Sequence, residues 1–254
     1  MDRAPQGSTI AQSNGEVARR ASLLVLSLPT VAANRAVVLE IAEVGNSDSV
    51  VVDTCTIGRQ AAAENARILA AAGIGYVDSP VSGLKVKADA GTLASTTACS
   101  AEHMENARAC IEGYSAAIYH VGTEPGQAQV MKIVNNALFI SALVTTSEAM
   151  SYGEDCGLTL STMLEVINAS SGRNTVTSEM FLNCVNNGAF DGAGAQAQIV
   201  KKDLNLFVET AASQRMASPA IAKAFETIAA FSDADPLQDM ARIYPFVRAM
   251  PKAG

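Results

Sequence analysis

The sequence predicts an α/β half followed by an all-helical half, and three observations carry this prediction. In the first half, short apolar runs alternate with helical segments of about a dozen residues, a pattern typical of βαβ units and a mainly parallel sheet. After Gly126 no convincing strand pattern remains. The second half opens instead with a long apolar-rich segment without internal proline or glycine. We therefore expect two domains, over residues 1–124 and 125–254.

Short apolar or β-branched runs, several closed by proline or small polar residues, predict the strands of the first half. These runs cover residues 22–29, 50–54, 76–78, 92–98 and 117–121. Between them, the spacing of apolar residues predicts helices that begin near Val31, Arg59 and Ser100. In the second half we expect helices over residues 127–153, 161–169, 175–186, 196–214, 219–230 and 236–249.

The composition argues against several classes of function. The formal net charge is -7 and no basic run is present, so neither nucleic acid nor an anionic membrane is an expected partner. The five cysteines form no C-x-x-C pair, and with two histidines the chain shows no metal-ligand spacing. The N-terminus lacks an apolar signal core, and no apolar run approaches the length needed to cross a bilayer. We therefore expect a soluble cytoplasmic protein with reduced thiols.

Lys132 and Asn136 form the first candidate site. They are four residues apart in the predicted long helix, so their side chains share one face, with Gln129 on the preceding turn. An amine beside a carboxamide can bind a hydroxyl or carbonyl oxygen, and a lysine whose pKa is lowered by burial can move a proton. The alternative is a solvated lysine on an amphipathic helix. This alternative is weakened because the residues near Lys132 are apolar on almost every face of the helix.

Three shorter stretches supply further candidates. Residues 78–83 follow a strand and include Ser82 and Gly83, whose hydroxyl and backbone N–H groups suit an anionic substrate, although a plain turn has the same composition. Residues 54–57 follow the second strand and offer small hydroxyls suited to a ring or ribose, or to an ordinary helix cap. Residues 201–203 read Lys-Lys-Asp, which taken alone indicates a solvated charge cluster.

Six motifs in this order resemble the β-hydroxyacid dehydrogenase family, which includes 3-hydroxyisobutyrate dehydrogenases, tartronate semialdehyde reductases and L-threonate dehydrogenases. The similarity spans residues 7–249, and the order of the motifs makes it specific where any single motif is weak. The motifs are Leu28-Pro29, Asp53-Thr54-Cys55-Thr56-Ile57, residues 78–83 with Gly91-Thr92-Leu93 downstream, residues 122–126 leading to Lys132 and Asn135-Asn136, residues 170–174, and Lys202-Asp203-Leu204.

The resemblance implies an N-terminal Rossmann-like domain, a long interdomain helix and an all-α C-terminal domain that dimerises. It implies NAD(P)-dependent hydride transfer to or from a small β-hydroxy acid, with NAD or NADP as the cofactor. By the family's pattern, Lys132 is the catalytic proton acceptor, and Ser82, Gly83 and Asn136 bind the substrate. The positions that match cofactor-contacting residues are Leu28, Pro29, Thr56 and Lys202.

The chain departs from the family's pattern at several positions. Leu84 stands where the family has a second glycine, Ala128 where a glycine is usual, and Cys55 where a serine is usual. Neither histidine lies near Cys55 in the sequence, so a nucleophilic role for this thiol has little support. No G-x-G-x-x-G motif occurs, so we expect an incomplete Rossmann-like domain that lacks the first βαβ unit. Asp2-Arg3 resembles the end of the second strand of that unit.

Three functions stay open on the sequence alone. The chain is an active hydroxyacid dehydrogenase, a redox-inactive homologue that acts as a binding or oligomerisation module, or a lyase that works through Lys132 without a nucleotide. The expected partners are a small hydroxy acid and further copies of the same chain, as a homodimer or a higher homo-oligomer.

Overall fold

The computed structural model describes residues 7–251, and the chain divides into two compact units. Unit 1 comprises the described residues up to Gly83 together with Ala88–Lys132. Unit 2 comprises Leu84–Lys87 and the described residues from Ile133 onward. Unit 1 therefore extends beyond the boundary expected between residues 124 and 125. Asp2-Arg3 lies outside the described residues.

The described residues of unit 1 form a six-stranded sheet. Its strands are β1 (Leu23–Leu26), β2 (Val50–Asp53), β3 (Gly75–Asp78), β4 (Val81–Ser82), β5 (Leu93–Ala98) and β6 (Ser115–Gly122). Strands β1, β2 and β3 are parallel neighbours, β5 joins β3 in the antiparallel sense, and β6 runs parallel to β5. The five predicted strand regions and the mainly parallel pairing are confirmed, whereas β4 was not predicted.

Both faces of the sheet of unit 1 are covered. Its helices are α1 (Asn14–Arg20), α2 (Val31–Val44), α3 (Arg59–Ala71), α4 (Leu84–Asp89, shared with unit 2) and α5 (Ala101–Glu112). The inner strand β2, between β1 and β3, contributes Val51 to one core cluster and Val50 and Val52 to another. Burial on both faces explains why β2 reads as a continuous apolar run rather than as an alternating one.

Unit 2 is helical. Its elements are α6 (Gln127–Asp155, whose first residues belong to unit 1), α7 (Leu160–Asn168), α8 (Phe181–Asn183), α9 (Ala197–Ser213), α10 (Pro219–Ala234) and α11 (Ile243–Arg248). Its core includes the fully buried side chains of Leu143, Leu164, Leu204 and Phe231, which come from α6, α7, α9 and α10. The single long helix predicted from residue 127 is confirmed.

Two predicted helices of unit 2 are interrupted. The segment over residues 175–186 forms a π-helical turn (Val176–Met180), the short α8 and a 3-10 turn (Val185–Asn187). The side chain of Asn174 accepts hydrogen bonds from the backbone N–H groups of Val176 and Thr177, as a capping residue does at the start of a helical segment.

The predicted helix over residues 236–249 begins later than expected, with a 3-10 turn at Met240–Arg242 that leads into α11. The carbonyl groups of Pro236 and Gln238 instead accept hydrogen bonds from the first N–H groups of α9. Those carbonyls satisfy donors that the start of a helix leaves without an intrahelical partner.

Helix α6 corrects the expectation about apolar length. Within the described chain it is the one helix that is long and apolar enough to cross a membrane, with 29 residues and a mean hydropathy of 1.3 in its most apolar window. A helix at the centre of a folded protein meets the same two criteria. The buried residues of α6, among them Leu143 and Met150, belong to the core of unit 2.

Candidate active site

The side chains of Lys132 and Ser82 meet in unit 1. Lys132 Nζ donates a hydrogen bond of 3.0 Å to Ser82 Oγ, and Ser82 is half-buried. Ser82 is fixed because β4 pairs with β5, where Ser82 faces Ala94. Gly83 follows with a φ of 142°, in the region that favours glycine. The predicted proton acceptor and the predicted substrate loop are therefore in contact.

Asp78, at the end of β3, holds the start of α6. Its buried carboxylate accepts hydrogen bonds from the backbone N–H groups of Gly126 (2.8 Å) and Gln129 (3.2 Å) and from Gln129 Nε2 (2.8 Å). Burial raises the pKa of Asp78 to about 6, although these hydrogen bonds act in the opposite direction. The negative charge lies where it stabilises the N-terminus of a helix.

Gln129 also holds the segment that follows β2. Its Oε1 accepts hydrogen bonds from the backbone N–H groups of Ile57 (2.9 Å) and Gly58 (3.1 Å), and its Nε2 donates to the carbonyl of Cys55 at 3.0 Å. The half-buried Thr56, a predicted cofactor contact, lies within this segment. The sequence alone indicates that Gln129 lies near the site but not what its side chain does.

The segments that follow β1 and β2 are joined to each other. The backbone N–H of Leu28 donates to Cys55 Sγ at 3.1 Å, and Thr54 Oγ1 donates to the carbonyl of Leu26 at 2.7 Å. Leu28 is half-buried and Pro29 is exposed. These residues lie outside the carboxyl ends of neighbouring parallel strands, where open α/β sheets bind ligands.

Asp53, at the end of β2, organises a buried polar network. Its carboxylate accepts hydrogen bonds from Asn34 Nδ2 (2.8 Å), the hydroxyl of Tyr76 (3.0 Å) and the backbone N–H of Cys55 (3.0 Å). Burial raises the pKa of Asp53 and, together with the nearby carboxylate, raises the pKa of the Cys55 thiol to about 12. A thiol that stays protonated at neutral pH is a poor nucleophile, so Cys55 has a structural role.

In unit 2, Asp203 contacts two of the predicted site residues. Its Oδ2 accepts a hydrogen bond of 2.9 Å from Asn136 Nδ2, and its Oδ1 forms an ion pair of 2.6 Å with Lys202 Nζ. Asn136 is buried and Lys202 is half-buried, so the Lys-Lys-Asp stretch is more than a solvated charge cluster. The neighbouring Lys201 pairs with Asp233. In the sequence, Asp203 is recognisable only as part of a motif.

No group of three or more His, Cys, Asp or Glu side chains that could hold a metal ion occurs between residues 7 and 251.

Two family models match the chain, one for each half. Residues 2–122 match the NAD binding domain of 6-phosphogluconate dehydrogenase. Residues 126–247 match the model described as NAD-binding of NADP-dependent 3-hydroxyisobutyrate dehydrogenase. Both models describe NAD-binding domains, in agreement with the resemblance that the motifs carry.

Similar proteins are found by sequence and by structure. The 2-(hydroxymethyl)glutarate dehydrogenase of Eubacterium barkeri is 32% identical over 225 residues, which cover 86% of this chain and 73% of that protein. A structure of Mycobacterium tuberculosis 3-hydroxyisobutyrate dehydrogenase with L-serine shares the fold, with a TM-score of 0.86, 23% identity, and coverage of 94% of this chain and 84% of that one.

A third similar protein contains a cofactor. The structure of Psf3 in complex with NADP+ and 2-OPP has a TM-score of 0.84 and 25% identity, and it covers 95% of this chain and 86% of that chain. The two NAD-binding models and this complex support NAD or NADP as the cofactor. By its matched halves and its relative from Eubacterium barkeri, the chain belongs to the β-hydroxyacid dehydrogenase family.

Proposed function

We propose that this chain is an NAD(P)-dependent dehydrogenase that transfers a hydride between the nicotinamide and a small β-hydroxy acid of the 3-hydroxyisobutyrate type. The observation that carries the proposal is the hydrogen bond of 3.0 Å from Lys132 Nζ to Ser82 Oγ. This contact joins a group able to move a proton to a hydroxyl able to bind a substrate oxygen.

Lys132 is the proposed proton carrier. In oxidation its amine receives the proton of the substrate hydroxyl, and in reduction its ammonium returns a proton to the carbonyl oxygen. The bond to Ser82 supports this role because it holds Nζ in one place beside the substrate loop.

Ser82, Gly83 and Asn136 are the proposed substrate-binding residues. Because Ser82 Oγ accepts its hydrogen bond from Lys132, the hydroxyl hydrogen can point toward a carboxylate oxygen. Gly83 adopts a conformation that side chains disfavour, which suits close approach of a ligand to the backbone. Asn136 gives one N–H to Asp203, and its amide group has a second N–H for a substrate oxygen.

The cofactor fits the residues at the carboxyl ends of β1 and β2. Leu28 and Pro29 offer apolar surface for a planar ring, and the hydroxyl of Thr56 suits a ribose. Lys202, placed in unit 2 by its ion pair with Asp203, is the proposed late lysine that reaches cofactor and substrate. When bound, the nicotinamide supplies the carbon that accepts or donates the hydride.

Steady-state kinetics of the purified chain test the proposal. We expect the chain to reduce NAD+ or NADP+ with at least one acid among 3-hydroxyisobutyrate, L-serine, L-threonate and 2-(hydroxymethyl)glutarate. Lys132→Ala should lower kcat by about 100-fold or more, with cofactor affinity unchanged, because the proton carrier is lost. Ser82→Ala should mainly raise the substrate KM. Lys223→Ala, at an exposed lysine on α10, is the matched control and should retain full activity.

The alternatives give different outcomes. Cofactor binding without turnover of any acid would identify a redox-inactive module, and borohydride trapping of a substrate on Lys132 would identify a lyase. Turnover that survives Lys132→Ala would remove this lysine from proton transfer.

We further propose that the active form is a cytoplasmic homodimer or higher homo-oligomer. Exposed apolar side chains on α6 support self-association, since Leu138 and Tyr152 are 67% and 73% exposed. Light scattering across a dilution series of the purified chain measures the mass directly.

A further inference from the structure

One buried carboxamide, that of Gln129, connects three segments of unit 1. Gln129 is fully buried, and both ends of its amide group are used. Oε1 accepts from Ile57 N and Gly58 N, while Nε2 donates to the carbonyl of Cys55 and to Asp78 Oδ1. Two accepted and two donated bonds use the full hydrogen-bonding capacity of a primary amide.

Each connected segment carries a residue of the proposed site. The segment after β2 contains Thr56, and Asp78 lies four residues before Ser82. Gln129 itself lies in the helix α6, one turn before Lys132. The amide therefore fixes the cofactor segment, the substrate loop and the proton carrier with respect to one another.

The contacts require the polarity of an amide. The oxygen of Gln129 faces two N–H donors, and its nitrogen faces a carbonyl and a carboxylate. A glutamate of the same shape would keep the accepting end, but it would set a second carboxylate against Asp78 in a buried place.

We propose that Gln129, oriented by Asp78, is a positioning residue for hydride and proton transfer. It acts through the segment of residues 55–58 and through α6, without touching the substrate. This inference rests on the proposed function, and it names the contact that sets the geometry of that site. A displacement of about 1 Å between reacting groups costs about 100-fold in rate, so a small shift of these segments is measurable.

The first test is Gln129→Glu, assayed at pH 8 with the best substrate of the wild-type chain. We expect kcat to fall about 10- to 100-fold, while the KM of the hydroxy acid changes by less than about threefold. Independently of activity, hydrogen exchange at the amides of Ile57 and Gly58 should become faster in the variant, because the repelled side chain releases them.

The second test exchanges the carboxylate and the amide between positions 78 and 129 and measures whether activity is recovered. Asp78→Asn alone should also lower kcat, because the new amide nitrogen would face an N–H group that now donates to the Asp78 carboxylate. In the double variant Asp78→Asn/Gln129→Glu, the new amide at position 78 can donate to the new carboxylate at position 129. The four backbone N–H groups keep their acceptors, and only the bond to the Cys55 carbonyl is lost. We expect the double variant to recover kcat about fivefold or more over Gln129→Glu.

The control for lost stability is Ile111→Ala, which opens a cavity in the core of unit 1 beside α5. It should lower Tm while kcat at 25 °C stays within about twofold of wild type. Unchanged kcat in Gln129→Glu, unchanged amide exchange, or no recovery in the double variant would each overturn the positioning role. A wild-type chain without turnover overturns the proposed function instead.

Discussion

At the scale of single residues, Leu84 has a backbone conformation that is unusual for a residue with a side chain. Its φ is 56°, in the left-handed region, and its side chain is 43% exposed. This conformation costs an L-residue about 1–2 kcal/mol, and glycine adopts it without that cost. The family's pattern has its second glycine at this position, so the chain carries backbone strain directly after the proposed substrate loop.

A matched pair of substitutions measures this strain. Leu84→Gly and Leu84→Ala remove nearly the same side chain, but only glycine relieves the left-handed conformation. We expect the glycine variant to be more stable than the alanine variant by about 1 kcal/mol, opposite to the usual order in helices. Urea unfolding of both variants measures the difference. An alanine variant of equal or greater stability would show that the backbone at residue 84 is unstrained.

The candidate site was only partly predictable from its residues. Lys132 was recognisable as an amine in an apolar stretch, whereas Ser82 lies in a stretch that a plain turn could also have, and only the family resemblance indicated its role. Asp78, Gln129 and Asp203 were not assigned roles, because their functions arise from contacts between residues far apart in the sequence. No local pattern reports such contacts.

At the scale of elements, the two ends of α6 depend on different glycines. Gly126 precedes the helix with a φ of 97°, and a Cβ there would lie 2.7 Å from the carbonyl oxygen of Arg59. Gly157 follows the helix with a φ of 90°, and a Cβ there would have no neighbouring atom of the described chain within 4 Å. The two glycines thus share a conformation and differ in the space around them.

This difference predicts unequal costs for alanine. Gly157→Ala should lower the free energy of unfolding by about 1–2 kcal/mol, the cost of the left-handed backbone alone. Gly126→Ala should cost about 1–3 kcal/mol more, because the backbone of Arg59 must move. Chemical denaturation of both variants provides the measurement. Equal losses would mean that the segment at Arg59 yields without cost.

Elements with a clear apolar run were predictable, whereas elements that depend on a tertiary contact were not. Strands β1 to β3 and helix α6 could be predicted because each coincides with an apolar run in the sequence. By contrast, β4 has two residues and exists because it pairs with β5. The start of α4 belongs to unit 2, where Lys85 packs closely against Gly194. A Cβ added at Gly194 would lie 3.0 Å from Lys85 Cβ. Tertiary contact decides such elements.

At the scale of the whole molecule, buried carboxylates shape the pH dependence of stability. The pKa of Asp78 is about 6 in the folded chain, against an ordinary value of 3.8 for the unfolded chain. Between these values the folded chain holds a proton that the unfolded chain has released. The contribution of Asp78 is therefore fully present below about pH 4 and is lost as the pH rises through about 6.

A comparison with Asp78→Asn isolates this contribution, since the variant does not titrate at residue 78. The free energy of unfolding of wild type, relative to the variant, should fall by roughly 2–3 kcal/mol between pH 4 and pH 7. Denaturation curves at several pH values check this. A relative stability that rises over the same range would mean that hydrogen bonding outweighs burial at Asp78.

The division of the chain into an α/β part and a helical part was predictable. The spacing of apolar residues changes from strands that alternate with helices to helices alone. The assignment of the first residues of α6 to unit 1 was not. The buried side chain of Gln129 joins these residues to partners that lie about 50 and 70 residues earlier in the chain.

The environment of the Cys55 thiol affects its reactivity toward peroxides. Peroxides attack thiolates, and the raised pKa of about 12 keeps the Cys55 thiol protonated at pH 7. A sulfur atom can therefore lie in the proposed cofactor segment without making that segment sensitive to peroxide, whereas the thiol of Cys156 is exposed to solvent.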